Sequence, residues 1–126
     1  MSLYQAVLLD HYKHPRHAGV LSEYSFSCSE SNPLCGDEVT VYGLIDGDRL
    51  IQISFTGVGC VISQATASLL LDSDLVSSLS QVDKLTAQDI LQLIQMELGP
   101  NRLRCALLPL IALQRGLESY RNGMGA

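Results

Sequence analysis

The stretch that decides the fold is V-T-V-Y-G-L-I-D-G-D-R-L-I-Q-I-S-F, residues 39–55. Apolar residues alternate with other residues on both sides of the pair Asp46-Gly47, with the two-residue period of a half-buried strand. An Asp-Gly pair between two such runs indicates a hairpin turn. We therefore predict two antiparallel strands that share one buried face, formed by Val39, Val41, Gly43, Ile45, Ile51, Ile53 and Phe55.

A third strand and a helix are predicted before this hairpin. Residues 24–28 alternate strictly, which predicts a strand with Tyr24, Phe26 and Cys28 on one face and makes Cys28 a core thiol. The first helix is predicted from Ser2 to about Lys13, because Ser2 and Gln5 have the spacing of a capping box. It must end before the pair His14-Pro15.

Three helices are predicted after the hairpin. The first runs from about Cys60 to Val76, through small residues and good helix formers. In the second, Thr86 and Asp89 form a capping box, and the pair Gly99-Pro100 is the stop signal; its apolar face is Ile90, Leu93, Ile94 and Leu98. The third runs from about Arg102 to Tyr120, with Pro109 early in it or kinking it.

These elements predict an α+β fold, a small three-stranded antiparallel sheet covered by about four helices, in one domain over residues 1–126. Of the 126 residues, 47% are hydrophobic, which is enough for a core. The formal net charge of -5 argues against nucleic acid and anionic membranes as partners. The longest apolar run, residues 106–113, is too short to span a bilayer, and the N-terminus lacks the pattern of a signal peptide. A cytoplasmic protein is expected.

The four cysteines are not expected to form disulfides in a reducing cytosol. Cys35, Cys60 and Cys105 each fall at a predicted element boundary, where sites are commonly built. A helix N-terminus favours the thiolate of Cys60, and the neighbouring Arg102 and Arg104 are expected to favour that of Cys105. Asp37 lies two residues after Cys35, so that both could face one point.

Three thiolates and one carboxylate are a plausible four-coordinate set for zinc or for an iron–sulfur cluster. The spacing of the cysteines contains no short C-x-x-C signature, so three unrelated buried thiols remain the alternative. His11, His14 and His17 are not expected to bind a metal, because Pro15 breaks the helix between them. A polar helix end or a partner surface is the expected role of these histidines.

Four motifs, in order along the chain, resemble those of the IscU/NifU N-terminal iron–sulfur cluster scaffold family, which includes the SufU branch. The first three motifs are D-H-Y-K-H-P-R-H-A-G at residues 10–19, N-P-L-C-G-D at residues 32–37 and G-V-G-C-V-I-S at residues 57–63. The fourth is R-L-R-C-A-L-L at residues 102–108. The resemblance implies the SufE/NifU-like fold.

The resemblance also implies a function. A scaffold of this family receives sulfur from a cysteine desulfurase and ferrous iron, builds a transient [2Fe–2S] cluster and hands it to apo acceptor proteins. By matching position, Cys35, Cys60 and Cys105 would be the ligands of the cluster or of zinc, and Asp37 the labile fourth ligand. Either Cys35 or Cys105 would accept the persulfide sulfur. Such a carrier is not expected to be an enzyme, unless it acts as a sulfurtransferase.

The chain departs from both branches of the family. Arg104 stands where IscU proteins have a histidine before the third cysteine, and arginine cannot coordinate a metal as a neutral base. SufU proteins carry an insertion between the second and third cysteines that this chain lacks. The segment 98–102, L-G-P-N-R, departs from the L-P-P-V-K stretch by which a dedicated Hsp70-type chaperone recognises IscU proteins, so that partnership is not expected.

Two alternatives to the scaffold stay open. In a zinc-dependent sulfurtransferase of the SufU type, zinc would hold Cys35, Asp37, Cys60 and Cys105, and thiol exchange would free one cysteine to take sulfur. In a structural zinc module, removal of the metal would unfold the domain.

Overall fold

A three-stranded antiparallel sheet with the strand order β1-β2-β3 is the centre of the computed structural model, which describes residues 2–123. The strands are β1 (Phe26–Asn32), β2 (Asp37–Asp46) and β3 (Arg49–Val58). The described residues form five α-helices rather than about four. They are α1 (Leu3–Lys13), α2 (Val61–Leu71), α3 (Leu79–Asp83), α4 (Ala87–Ile94) and α5 (Pro100–Arg121), with a 3₁₀ turn at Asp74–Val76. The predicted α+β class is confirmed.

The hairpin of β2 and β3 has the predicted turn, with Asp46 opposite Arg49 and a positive φ of 64° at Gly47. The predicted burial of Ile51 is wrong, because this side chain is 54% exposed. Ile45 pairs with Leu50 while Leu44 pairs with Gln52, so Ile51 is the extra residue of a β-bulge. A bulged residue has no partner in the ladder, and the bulge shifts the alternation of faces beyond it.

The buried face of β1 is set by Phe26, which is 3% exposed. Its ring fits between Gly43 of β2 and Gly116 of α5, since a Cβ atom at either glycine would clash with it. Tyr24 lies before β1 and is exposed, so its predicted place in the strand is wrong; its ring makes an edge contact with that of Tyr42 at 5.4 Å between centroids. Cys28 faces α5 but is only half-buried.

Two helix ends differ from the prediction. The helix predicted to reach Val76 ends at Leu71, because the Ser73 hydroxyl accepts the Leu75 N–H and starts a separate 3₁₀ turn. The next predicted helix keeps its capping box at Thr86 and Asp89 but ends at Ile94, where Gln95 adopts a left-handed conformation with a φ of 53°. Leu98 therefore lies outside that helix.

The pair Gly99-Pro100 starts α5 and does not stop α4. Gly99 is the N-cap and Pro100 occupies the first helical position, where its missing N–H costs nothing. Pro109 lies near the middle of this 22-residue helix. No helix among residues 2–123 is both long and apolar enough to cross a membrane.

The segment between α1 and β1 runs along the outer edge of β3. The Gly19 N–H donates to the Phe55 carbonyl at 2.8 Å, and the Phe55 N–H donates to the His17 carbonyl at 2.9 Å. His17 has a positive φ of 61° and its ring pairs with the Asp72 carboxylate at 3.1 Å. Residues 17–19, which we call the strap, thus add a short parallel pairing to the sheet.

A buried histidine fastens α1 to α2. His11 was expected at a polar helix end, but its Nδ1 atom lies 2.7 Å from the Ser68 hydroxyl in the interior. The same hydroxyl accepts the backbone N–H of Arg16 at 2.8 Å. Burial and the nearby Arg16 charge lower the pKa of His11, although the carboxylates of Asp10 and Asp72 act in the opposite direction.

We expect acid to destabilise the protein through His11. Because its pKa is lowered in the folded state, its contribution is complete above the unfolded pKa of about 6.5 and is lost as the pH falls below that value. Denaturant unfolding at about pH 7.5 and pH 5.5 should therefore show a loss of about 1 kcal/mol that is missing in His11→Asn. His14→Asn, which changes an exposed histidine three residues away, should keep the full loss.

Candidate metal centre

The loop between β1 and β2 brings Cys35 to one end of the sheet. Asn32 and Asp37 are the last pair of this hairpin, and both side chains are buried. The backbone N–H groups of Cys35 and Gly36 donate to the Asn32 carbonyl at 3.1 and 2.9 Å. The positive φ of 73° at Gly36 lets the chain return to β2. Cys35 is exposed at the tip of this loop.

The junction of β3 and α2 places Cys60 against Asp37. Cys60 is the N-cap of α2, so its predicted position at a helix N-terminus is confirmed. Its backbone N–H donates to Asp37 Oδ1 at 2.9 Å, and its Sγ lies 3.1 Å from Asp37 Oδ2. Gly59, with a φ of 131°, makes this approach possible, because a Cβ atom there would collide with the Asp37 carboxylate.

Cys105 enters from the second turn of α5 and is 2% exposed. The donor atoms of Asp37, Cys60 and Cys105 all lie within 4.8 Å of one another. Of the four predicted ligands, these three form a group among residues 2–123, and Cys35 lies outside it. Cys35 nevertheless shares a neighbour with Cys105, since Asn32 Nδ2 is 3.7 Å from the sulfur of Cys35 and 3.6 Å from that of Cys105.

The protonation of this group depends on burial and on mutual hydrogen bonds. Burial by itself would raise the pKa of Asp37, but interactions with the Cys105 and Cys60 thiols, the Cys60 backbone N–H and Ser63 lower it overall. Burial and the neighbouring Asp37 raise the pKa of Cys105 strongly. The prediction that Arg102 and Arg104 favour the Cys105 thiolate is therefore wrong in the metal-free protein, because both arginines are exposed.

The donor set fits a soft, thiolate-binding cation. Asp37 is 1% exposed and ionised, yet no Lys, Arg or His of residues 2–123 pairs with it. A buried carboxylate without a cationic partner is costly, and a bound metal ion would supply the missing charge. In tetrahedral zinc sites the sulfur ligands are about 3.8 Å apart, given Zn–S bonds of ~2.3 Å. The three donor atoms, all within 4.8 Å of one another, lie close to that separation.

Three neighbours of the site were not predicted as functional residues. Asn32 and Gly59 lie inside the quoted motifs N-P-L-C-G-D and G-V-G-C-V-I-S. Their position beside the cysteines in these motifs was the sequence feature that could have indicated a role at the site. Ser63 is fully buried; its hydroxyl donates to the Cys60 carbonyl at 3.2 Å and lies 3.9 Å from the Cys60 sulfur. This serine helps to hold the first turn of α2 in place.

The fold and the donor set define a small α+β protein with a thiol–carboxylate centre at one end of its sheet. Residues 3–125 match the family model described as NifU-like N terminal domain, and the chain belongs to this family. The resemblance stated from the motifs is thus confirmed.

Curated relatives carry two kinds of name. The chain is 32% identical to the zinc-dependent sulfurtransferase SufU of Bacillus subtilis, with 97% of this chain and 94% of that protein aligned. It is 31% identical to the iron–sulfur cluster assembly scaffold protein IscU of Streptococcus pyogenes, with 95% and 86% aligned.

Solved structures confirm the fold. A candidate iron–sulfur cluster assembly scaffold of the SUF system from Fervidobacterium islandicum superposes with a TM-score of 0.76 at 25% identity, covering 93% of this chain and 96% of that one. The N-terminal part of a NifU-like protein from Brucella abortus also has a TM-score of 0.76, at 15% identity, with 95% of each chain covered.

Proposed function

We propose that the protein is an iron–sulfur cluster assembly scaffold. It receives sulfur from a cysteine desulfurase and ferrous iron, builds a [2Fe–2S] cluster on Cys35, Asp37, Cys60 and Cys105, and passes the cluster to apo acceptor proteins. The observation that carries this proposal is the gathering of Asp37, Cys60 and Cys105 within 4.8 Å beside an exposed third thiol. The names of the relatives support it.

The mixed donor set suits a cargo that must be released. Thiolates bind iron and zinc strongly, whereas one carboxylate is a harder and more easily exchanged ligand. Asp37 also lies within hydrogen-bond distance of the Cys60 thiol. Once released from the iron, the carboxylate can again accept the hydrogen bond of the Cys60 thiol, which stabilises the site after the cluster has left. Both properties favour transfer of the cluster over permanent storage.

Sulfur must arrive at a thiol that a partner can reach. Cys35 is exposed on its loop and Cys105 is buried, so exposure favours Cys35 as the persulfide acceptor. Its thiolate attacks the outer sulfur of the desulfurase persulfide, a new S–S bond forms on Cys35, and the desulfurase thiolate leaves. The four free cysteines suit a reducing compartment, which supports a role in the cytoplasm.

A zinc-dependent sulfurtransferase is the second candidate. The specific observation in its favour is that Asp37, Cys60 and Cys105 form a group of three without Cys35. In this mechanism zinc holds the group, and Cys35 exchanges between zinc and the persulfide sulfur of the desulfurase. Arg104 in place of a ligand histidine and the SufU relative are consistent with this mechanism.

We expect Asp37→Ala to prolong the lifetime of an assembled cluster by several-fold to about tenfold, because it removes the exchangeable ligand beside Cys60. The measurement is an anaerobic absorption spectrum during incubation with ferrous iron, cysteine and a cysteine desulfurase, followed by addition of an apo acceptor. Glu38→Ala is the matched control, since it removes the neighbouring carboxylate from the exposed face of β2.

The same experiment separates the two candidates. Sulfide-to-iron charge-transfer bands in the wild type support the scaffold. A different result supports the sulfurtransferase: no bands form, zinc is retained and desulfurase turnover accelerates. In that case the protein carries sulfur and builds no cluster. Equal cluster lifetimes in Asp37→Ala and the wild type would contradict the labile role of Asp37.

A further inference from the structure

Asn32 makes side-chain contacts that the proposed function does not use. It is 5% exposed, and its amide nitrogen lies between the sulfurs of Cys35 and Cys105, at 3.7 and 3.6 Å. These sulfurs come from residues 70 positions apart in the sequence. We infer that Asn32 is a positioning residue that donates one N–H to each of these two ligand sulfurs and ties the exposed Cys35 loop to the buried Cys105. This inference rests on the proposed function.

The orientation of the Asn32 amide is fixed by the backbone. Its Oδ1 atom accepts the Leu34 N–H at 3.2 Å, so Nδ2 must point the other way, towards the sulfurs. A primary amide carries two N–H groups, one for each sulfur. The buried amide thereby satisfies all its donors without water.

The loop turn does not depend on the amide nitrogen. The two backbone hydrogen bonds that close the turn go to the Asn32 carbonyl, and the side chain supplies only its oxygen, to Leu34. An aspartate at this position would keep that oxygen acceptor and the shape of the side chain. The N–H groups are therefore separable from the structural part of the residue, and their role can be tested independently.

Hydrogen bonds to metal-bound sulfur change its electronic properties. An N–H that donates to a thiolate lowers the energy of the sulfur electrons, and such bonds are among the factors that set the potentials of iron–sulfur clusters. Loss of these donors should move sulfur-to-metal charge-transfer absorption to longer wavelength. It should also weaken metal binding on the order of 10–100-fold, the loss typical when a residue that hydrogen-bonds to a metal ligand is mutated.

The test uses Co²⁺ alone as the probe, titrated anaerobically into the protein of residues 1–126. Wild type should give thiolate-to-cobalt charge-transfer bands. Both Asn32→Asp and Asn32→Leu lack the N–H donors, so their bands should move to longer wavelength, and Asn32→Leu should bind Co²⁺ on the order of 10–100-fold more weakly. Asn101→Asp adds the same charge at an exposed position of α5 and should leave the bands in place.

The two variants distinguish donor loss from damage to the loop. A shift in Asn32→Leu alone would mean that only the Leu34 contact matters, and it would overturn the inference. Bands that stay in place in both variants would also overturn the inference about Asn32, but they would not contradict the proposed function. If the wild type gives no thiolate bands, the ligand set itself is wrong, and both the proposed function and this inference fail. Should Asn32→Leu not fold, the bands of Asn32→Asp alone decide between these outcomes.

Discussion

Cys105→Ser is expected to lower the affinity for zinc by more than a hundredfold. The Cys105 sulfur is buried and lies within 4.8 Å of the donor atoms of Asp37 and Cys60. Mutation of a residue that hydrogen-bonds to a metal ligand lowers metal affinity by ~10–100-fold, and loss of a ligand sulfur itself should lower it further. Serine offers a harder oxygen that stays protonated at neutral pH, so it cannot replace a thiolate. Competition with a chromophoric chelator measures the affinity.

Cys28→Ser is the matched control for this variant. Cys28 is a half-buried cysteine of β1 that faces α5 and lies outside the group of donor atoms. It should keep wild-type zinc affinity, and a loss there would contradict the proposed ligand set.

The stability of the metal-free protein tests the structural zinc module. The hydrophobic core extends over all three strands and all five of the described α-helices, so the protein should stay folded when a chelator removes the metal. Cooperative unfolding on chelation would instead mean that the metal supplies folding energy. In that case the centre would be structural, and neither candidate in the proposed function would describe it.

Gly59→Ala is expected to destabilise the protein by about 3 kcal/mol or more and to abolish tight metal binding. Two effects add. A φ of 131° is a conformation that residues with a side chain adopt only at a cost of ~1–3 kcal/mol. The new Cβ atom would also collide with the Asp37 carboxylate, which must then move away from the Cys60 N–H. Denaturant unfolding and chelator competition measure the two losses.

Gly19→Ala separates backbone strain from the collision. Gly19 has a similar φ of 121°, but a Cβ atom there would meet nothing within 4 Å. This variant should therefore lose only the strain energy, ~1–3 kcal/mol, and keep its metal affinity. Equal metal affinity in both variants would show that the contact of Gly59 with Asp37 does not shape the site.

The regular elements were predictable because their signals are local. The two strands of residues 39–55 and the capping boxes at Ser2 and Thr86 depend on neighbouring residues only, and the structure has both strands and both capping boxes. The predictions were wrong at positions where the local sequence is compatible with two different backbone structures. Ile51 is skipped by a bulge, Ser73 starts a new turn, and Gly99-Pro100 begins a helix where it was expected to end one. Sequence periodicity carries no information on such choices.

The ligand types were predictable from the motifs, but their spatial arrangement was not. Cys60 and Asp37 meet because Gly59 has an unusual φ, and a sequence does not give dihedral angles. The strong rise in the pKa of Cys105 follows from burial in α5, which outweighs the nearby arginines in the sequence. The bridge from Asn32 to two sulfurs depends on the folded loop, so it appears only in the structure.

The strap at residues 17–19 has a consequence for self-association. Unpaired strand edges are the places where sheets of separate molecules join and aggregate. The strap forms hydrogen bonds with both the N–H and the carbonyl of Phe55. Arg49, at the start of β3, forms a β-bridge with Ser78, so the outer edge of β3 is blocked at two points. Within residues 2–123, the outer edge of β1 is the one left open to a strand from another molecule. Substitutions that loosen the strap should therefore promote aggregation before they affect the metal centre.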